Sequence, residues 1–210
     1  MKKRGLLTVI SGFAGVGKGT IVRRLVEDYD NYALSVSMTT RAPRPGEEDG
    51  VHYFFITKEE FEKNIEEDKM LEYACYVDNY YGTPKAYVEE MLSQGKNVIL
   101  EIEIQGAMKI KEKVPDALLL FVMPPSAEEL KRRLVGRGTE TMDVIERRMA
   151  RAAEESEGIE NYEYILINDN VDECVREANE IITNAVYAAS RNEDYIENIR
   201  KQLKEMAKGE

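Results

Sequence analysis

Gly12-Phe13-Ala14-Gly15-Val16-Gly17-Lys18 fits the spacing G-x-x-x-x-G-K, and its flanks fix what that spacing means. Leu6 to Ile10 is a short apolar run suited to a central parallel strand, and Thr20 to Glu27 carries Ile21, Val22, Leu25 and Val26 at helical spacing. Strand, glycine loop and helix in that order build an anion cradle. The glycines let backbone N–H groups turn inward without Cβ interference, and the helix N-terminus adds its positive dipole end. Lys18 then spans the β- and γ-phosphates of a donor nucleotide. The donor site is expected to comprise Gly12, Phe13, Ala14, Gly15, Val16, Gly17, Lys18, Gly19 and Thr20. The general pattern has Ser or Thr directly after the lysine; here Gly19 intervenes. The Thr20 hydroxyl, one residue on, can still reach a metal-bound water.

Ahead of the first strand, Met1-Lys2-Lys3-Arg4 imitates the start of a secretion signal. The apolar run stops at Gly12 without a small-residue cleavage site, so it reads as a buried strand. Further apolar runs follow at Val98–Ile104, Ala117–Met123 and Tyr164–Ile167. Helical segments separate them at 105–113, from Ser126 through Val135, and at 141–157, and a last core helix spans Val171–Ala189. Strands alternating with helices predict an α/β fold with a parallel sheet. Residues 36–92 break the alternation and read as an insertion, with strands at Tyr53–Ile56 and Leu71–Val77 and a capping box at Thr57 and Glu60. Thr83-Pro84 reads as an N-cap followed by an N1 proline, with Gly95 ending that helix, and Ser126 with Glu129 reads as another capping box. The tail, 192–210, reads as charged and weakly helical.

Composition narrows the chemistry. The 40 acidic residues against 29 basic ones give a net charge of −11, so general binding to nucleic acid or anionic lipid is not expected. No apolar run approaches the length of a membrane span. The two cysteines, Cys75 and Cys174, match neither a disulfide framework nor a zinc spacing, and the single histidine, His52, excludes a His-rich metal site. The expected setting is the cytoplasm.

Within the insertion, Ser35-Val36-Ser37-Met38-Thr39-Thr40-Arg41-Ala42-Pro43-Arg44-Pro45-Gly46-Glu47 resembles the guanylate kinase family of nucleoside monophosphate kinases. Further matches run in order through Gly50-Val51-His52-Tyr53-Phe54-Phe55, Glu72, Asn79-Tyr80-Tyr81-Gly82-Thr83, Gly136-Arg137-Gly138-Thr139-Glu140 and Ile167-Asn168-Asp169, covering roughly residues 5–185. The resemblance implies transfer of the γ-phosphoryl group of ATP to GMP, with Mg2+ accompanying ATP, and leaves the use of dGMP open. It implies a three-layer P-loop core at 1–35, 93–125 and 158–191, a GMP-binding α+β subdomain at 36–92, a helical lid at 126–157 and a helical tail at 192–210.

Chemistry and resemblance agree on the acceptor. Guanine N1–H and its exocyclic amine form a donor pair that one carboxylate can accept, and the resemblance assigns that role to Glu72. Ser37 and Thr83 are placed at O6 and N7. Arg41 and Arg44 supply guanidinium forks for the GMP phosphate, with Tyr53 and Tyr81 adding hydroxyls. Glu101 and Glu103, two apart at the end of a strand, match acids near magnesium and GMP. Glu103 stands where the family usually has aspartate, and Ile104 where bacterial members often have tryptophan. In the lid, Arg137 and Arg148 match phosphate-reaching arginines, with Arg133 a weaker candidate, and Asn168 and Asp169 match the loop near the ATP adenine. Lys18, Arg41, Arg137 and Arg148 would surround the transferring group. His52 reads as structural or exposed. Two other readings share these features: a peptide-binding scaffold module without turnover, and a kinase for another phosphorylated acceptor. The intact cradle argues against the first, and Glu72 with Ser37 and Thr83 against the second.

Overall fold

The computed structural model describes residues 4–76, 78–136 and 141–207. The core is a five-stranded parallel sheet of β1 (Leu7–Gly12), β2 (Tyr32–Leu34), β7 (Asn97–Glu101), β8 (Leu118–Met123) and β9 (Tyr164–Ile167), in the order β2-β7-β1-β8-β9. β1 is the central strand and is buried from Leu7 to Ser11, Thr8 included, with β7 and β8 pairing on either side through Val9↔Leu100 and Val9↔Leu119. Helices α1 (Lys18–Asp28) and α7 (Val171–Ala185) pack together and onto this sheet. α3 (Lys85–Ser93) packs on β7, and α4 (Ile104–Lys113) packs on β1.

The insertion builds a second sheet, in the order β4-β3-β6-β5, from β3 (Met38–Thr39), β4 (Phe54–Phe55), β5 (Met70–Tyr76) and β6 (Asn79–Pro84). β5 and β6 form an antiparallel hairpin whose register shifts between Met70 and Glu72. α2 (Lys58–Glu66) closes this unit through Phe61, which is fully buried and stacks on Tyr80 at 5.1 Å. Its N-terminus carries the expected capping box, Thr57 with Glu60. α5 (Ala127–Gly136) and α6 (Met142–Ser156) follow β8; Leu130, Leu134, Ile145 and Ala152 anchor both in the main core. α8 (Glu193–Met206) ends the described chain.

Several local expectations change. Thr83 is not a helix cap: β6 runs through Pro84, Pro84 occupies the cap position, and the Thr83 hydroxyl goes to a neighbouring strand instead. The strand expected over 98–104 stops at Glu101, where its partner β1 reaches Ile10 and is about to turn into the glycine loop. Glu103 is then the N-cap residue of α4, and Ile104 its first residue. The box at Ser126 is half formed. Its hydroxyl accepts from the Glu129 N–H at 3.1 Å, but the Glu129 carboxylate is drawn off by Arg132 and Arg133. The last core helix ends at Ala185, short of Ala189. Cys75 and Cys174 are both free thiols, as the spacing implies.

Candidate active site

The glycine loop leaves β1 at the carboxyl edge of the sheet, where parallel α/β sheets gather ligands. Gly17 is the N-cap of α1 with φ 98° and ψ 16°, a left-handed conformation that an L side chain resists. A Cβ there would also lie 2.6 Å from the Asn168 amide nitrogen. Asn168 is buried beneath the loop and donates from Nδ2 to the Val16 carbonyl at 2.8 Å, while its Oδ1 has no protein partner. Lys18 Nζ donates to the Gly12 carbonyl at 2.6 Å and the Phe13 carbonyl at 3.2 Å, so the ammonium sits over the loop it serves. Phe13 packs edge-on against Phe121 at 5.1 Å and pins the loop to the core. Thr20 is half-buried in the first turn of α1, and the Glu101 carboxylate lies beside Gly19. Asn168 thus stands as a brace under the loop, and Asp169, next to it, is exposed.

Beyond Glu101 opens a cavity of about 230 Å³. Ser37, Arg41, Arg44, Tyr53, Glu72, Tyr81, Glu101 and Glu103 all line it, drawn from both sheets and the loops between them. Thr83, the ninth expected acceptor residue, stands behind the wall. It is fully buried and its Oγ1 donates to Glu72 Oε1 at 2.8 Å. Its proton is committed to the carboxylate, so it positions Glu72 instead of facing the cavity. Glu72 is 4% exposed. It emerges where the β5–β6 register shifts, the kind of irregularity that re-aims a side chain. Its second oxygen lies against Gly106 of α4, where a Cβ would come within 3.2 Å. Burial raises the Glu72 carboxyl above its ordinary range, and the Thr83 hydrogen bond opposes that rise.

Elsewhere in the cavity lining Arg41 is already organised. Its guanidinium makes two 2.9 Å hydrogen bonds to Glu47 and one of 2.7 Å to the Ala42 carbonyl, and it lies 5.5 Å from the Tyr53 ring centre. Glu47 also accepts from the Arg44 N–H at 2.7 Å. The Arg41 hydrogen bonds hold the Glu47 carboxyl at about 2. Tyr53 and Tyr81 meet edge-on at 6.0 Å. Burial raises the Tyr53 phenol, with Glu101 adding to the rise. The surrounding protein also raises the Glu101 carboxyl, countered by Lys18. That countering charge ties the acceptor cavity to the phosphate loop.

Glu103 has a second allegiance. It lines the cavity, yet its carboxylate accepts from Arg151 of α6 at 2.5 Å, and Arg151 also donates to Glu155 at 2.8 Å. Arg148 is half-buried on the same helix, one turn earlier. Arg133 of α5 pairs with Glu129 at 2.6 Å. Arg137 lies outside the described residues, as do Gly138, Thr139 and Glu140. His52 is exposed; its Nδ1 accepts from the Glu48 N–H at 3.1 Å, away from the cavity.

Three participants escape the sequence reading: Glu47, which organises Arg41; Arg151, which joins α6 to Glu103; and Gly106, which makes room for Glu72. Glu47 left a signal, since an acid three residues after Arg44 in an arginine-bearing loop invites pairing.

Among the described residues no group of three or more His, Cys, Asp or Glu side chains could cage a metal ion.

Comparison with known proteins converges on one family. The guanylate kinase family model matches residues 4–185. The guanylate kinase of Latilactobacillus sakei is 51% identical over 183 residues, spanning 87% of this chain and 90% of that protein. That of Clostridioides difficile is 50% identical over 202 residues, spanning 96% and 98%. The crystal structure of guanylate kinase from Anaplasma phagocytophilum superposes with a TM-score of 0.74 at 32% identity, covering 90% of each chain.

Proposed function

The chain belongs to the guanylate kinase family and transfers the γ-phosphoryl group of ATP to GMP, and we propose that it does so with the residues gathered at the carboxyl edge of the core sheet. The observation that carries this assignment of roles is one cavity lined together by Glu72, Arg41, Arg44 and Glu101, with the Glu101 carboxylate also beside Gly19 of the phosphate loop.

The acceptor oxygen of GMP is anionic at neutral pH, so no strong general base is required. The work is alignment and charge neutralisation around a loose transition state. Glu72 accepts from guanine N1–H and the exocyclic amine, held by Thr83. Ser37 faces the opposite edge of the base. Arg41, Arg44, Tyr53 and Tyr81 fix the GMP phosphate. The loop from Gly12 to Thr20 cradles the ATP phosphates through its N–H groups, with Lys18 leaving its own carbonyls to meet them. Arg137 and Arg148 neutralise the charge that develops on the transferring group. Thr20 and Glu101 would hold Mg2+ through its waters, and the ion would supply positive charge to the donor phosphates. Segments 36–92 and 126–157 close over the two substrates and exclude water, so ATP is not hydrolysed. The setting is cytoplasmic; no helix among the described residues is long and apolar enough to cross a membrane.

The test is ATP consumption, with Mg2+ present, across GMP, dGMP, AMP, CMP and UMP. GMP is expected to dominate, with dGMP following because the 2′-hydroxyl is not among the groups read. Comparable use of AMP would remove Glu72 from its role, and nucleotide binding without turnover would favour the scaffold reading.

A further inference from the structure

We propose that Arg151 is a positioning residue for the acceptor: standing behind the cavity wall, it counters the Glu103 carboxylate so that the cavity can take in a phosphate dianion. This role rests on the acceptor reading given above. Five charged side chains line that cavity, the carboxylates of Glu72, Glu101 and Glu103 against the guanidinium groups of Arg41 and Arg44. Arg41 is itself paired with Glu47 at 2.9 Å. The lining alone is therefore negative, while GMP brings a phosphate of about −1.5 to −2 charge at neutral pH. An acid left uncountered there repels the ligand it helps to enclose. Lys18 counters Glu101 from the phosphate loop. Arg151 does the same for Glu103 from α6.

The local geometry fits that use. Glu103 is the N-cap residue of α4, yet its side chain makes no cap hydrogen bond. A shorter acid at an N-cap turns back to accept from its own helix. The glutamate, one methylene longer, reaches across to α6, where Arg151 Nη2 donates to it at 2.5 Å. Arg151 Nε donates to Glu155 at 2.8 Å, and the Glu155 side chain is 19% exposed. One edge of the guanidinium is thus anchored, and the other is aimed at Glu103. Arg151 does not line the acceptor cavity. It lines a second one, of about 580 Å³, between β5, the start of α4 and α6, and Glu103 belongs to both walls. Arg151 therefore acts on the acceptor through Glu103 and not by touching GMP. Its loss would uncover two acids at that wall, Glu103 and Glu155.

Steady-state kinetics beside inhibition by guanosine test the proposal. R151M keeps an apolar stem and removes the charge. It should raise KM for GMP about fivefold, the upper end for an ion pair open to solvent, with kcat and the melt close to those of the parent. Guanosine, which brings base and sugar without the phosphate, should inhibit R151M and the parent alike. In an E103Q background no carboxylate waits to be countered, so adding R151M should leave KM where E103Q put it. An unchanged KM in R151M overturns the proposal. So does a rise that persists in the E103Q background, or one matched by an equal loss of guanosine affinity; either assigns Arg151 to the packing of α6. A fall in kcat alone overturns it too, and gives Arg151 to the transfer step beside Arg148. A parent that does not phosphorylate GMP fails the acceptor reading itself, whereas a parent that does, with R151M silent, fails only the role of Arg151.

Discussion

Glu72→Gln separates what the base-reading carboxylate does for GMP from what it does for the fold. Thr83 Oγ1 donates to Glu72 Oε1 at 2.8 Å, so a glutamine will place its carbonyl oxygen there and its NH₂ where Oε2 now lies. One guanine donor then meets a donor. An unmatched buried polar group costs about 1–3 kcal/mol. That is a loss of roughly tenfold to more than a hundredfold in kcat/KM for GMP, while AMP, which lacks the donor pair, loses little. Stability should move the other way. Burial raises the Glu72 carboxyl above the ordinary 4.5. A carboxyl raised on folding stabilises below its unfolded pKa, and that contribution is lost as pH rises through the folded value. At neutral pH folding therefore desolvates a carboxyl that is ionised in the unfolded chain, and the amide removes that cost. The variant should melt no lower than the parent at neutral pH, and its relative gain should shrink as pH falls toward the carboxylate range. For the same reason protonation of Glu72 should add to the acid limb of kcat/KM for GMP in the parent, beside that of the GMP phosphate itself, and the added part should be lost in the variant. Steady-state kinetics with GMP and AMP across pH, beside thermal melts, supply the readings. Unchanged GMP efficiency in a folded variant would refute the reasoning, and so would parallel losses on GMP and AMP.

Lys18→Met should reduce turnover by about a hundredfold or more with the melt retained, since the ammonium acts on developing charge; near-full turnover would take Lys18 out of the transfer. Glu47→Gln should raise KM for GMP by about tenfold with a smaller change in kcat, because it loosens Arg41 before the phosphate arrives. Glu47→Asp should recover part of that loss, and an unchanged KM would show that Arg41 needs no such holder. Arg148→Ala should lower kcat far more than it weakens GMP binding measured by calorimetry, because its contact belongs to the closed transition state; equal losses would place it in the acceptor cavity.

The sequence shows its strands most clearly where burial on both faces makes them apolar throughout. β8, buried at five of its six positions, ends at Met123 as expected; Tyr164–Ile167 also appears at its expected bounds, although Tyr164, Ile165 and Ile167 are exposed. It misleads where a residue has two chemically reasonable uses. Thr83 before Pro84 has the form of a helix cap, but only the paired strand places Glu72 Oε1 within reach of its hydroxyl. Glu101 and Glu103 looked like two acids on one strand face, yet β7 ends between them and Glu103 turns to Arg151, 48 positions along the chain. The acceptor cavity could be assembled from local motifs because each keeps its own residues close in sequence. The contacts that tension it, Glu47 on Arg41 and Asn168 under Val16, depend on side-chain direction and long-range packing, which spacing does not encode.

All five strands of the core sheet point the same way, and α7 runs back against them. Its end meets the strands' starting edge, where Thr183, Val186 and Tyr187 share a cavity with Gly5, Lys96 and Asn97. α8 therefore sets out from the floor of the molecule, while the phosphate loop opens at the ceiling. A strand of six residues such as β1 puts about 20 Å between the two. A domain fused beyond α8 should therefore hang clear of the mouth and leave kcat and KM for GMP where they stand in the chain without it; a fusion that slows turnover while the melt is kept would show that α8 turns back toward the loop.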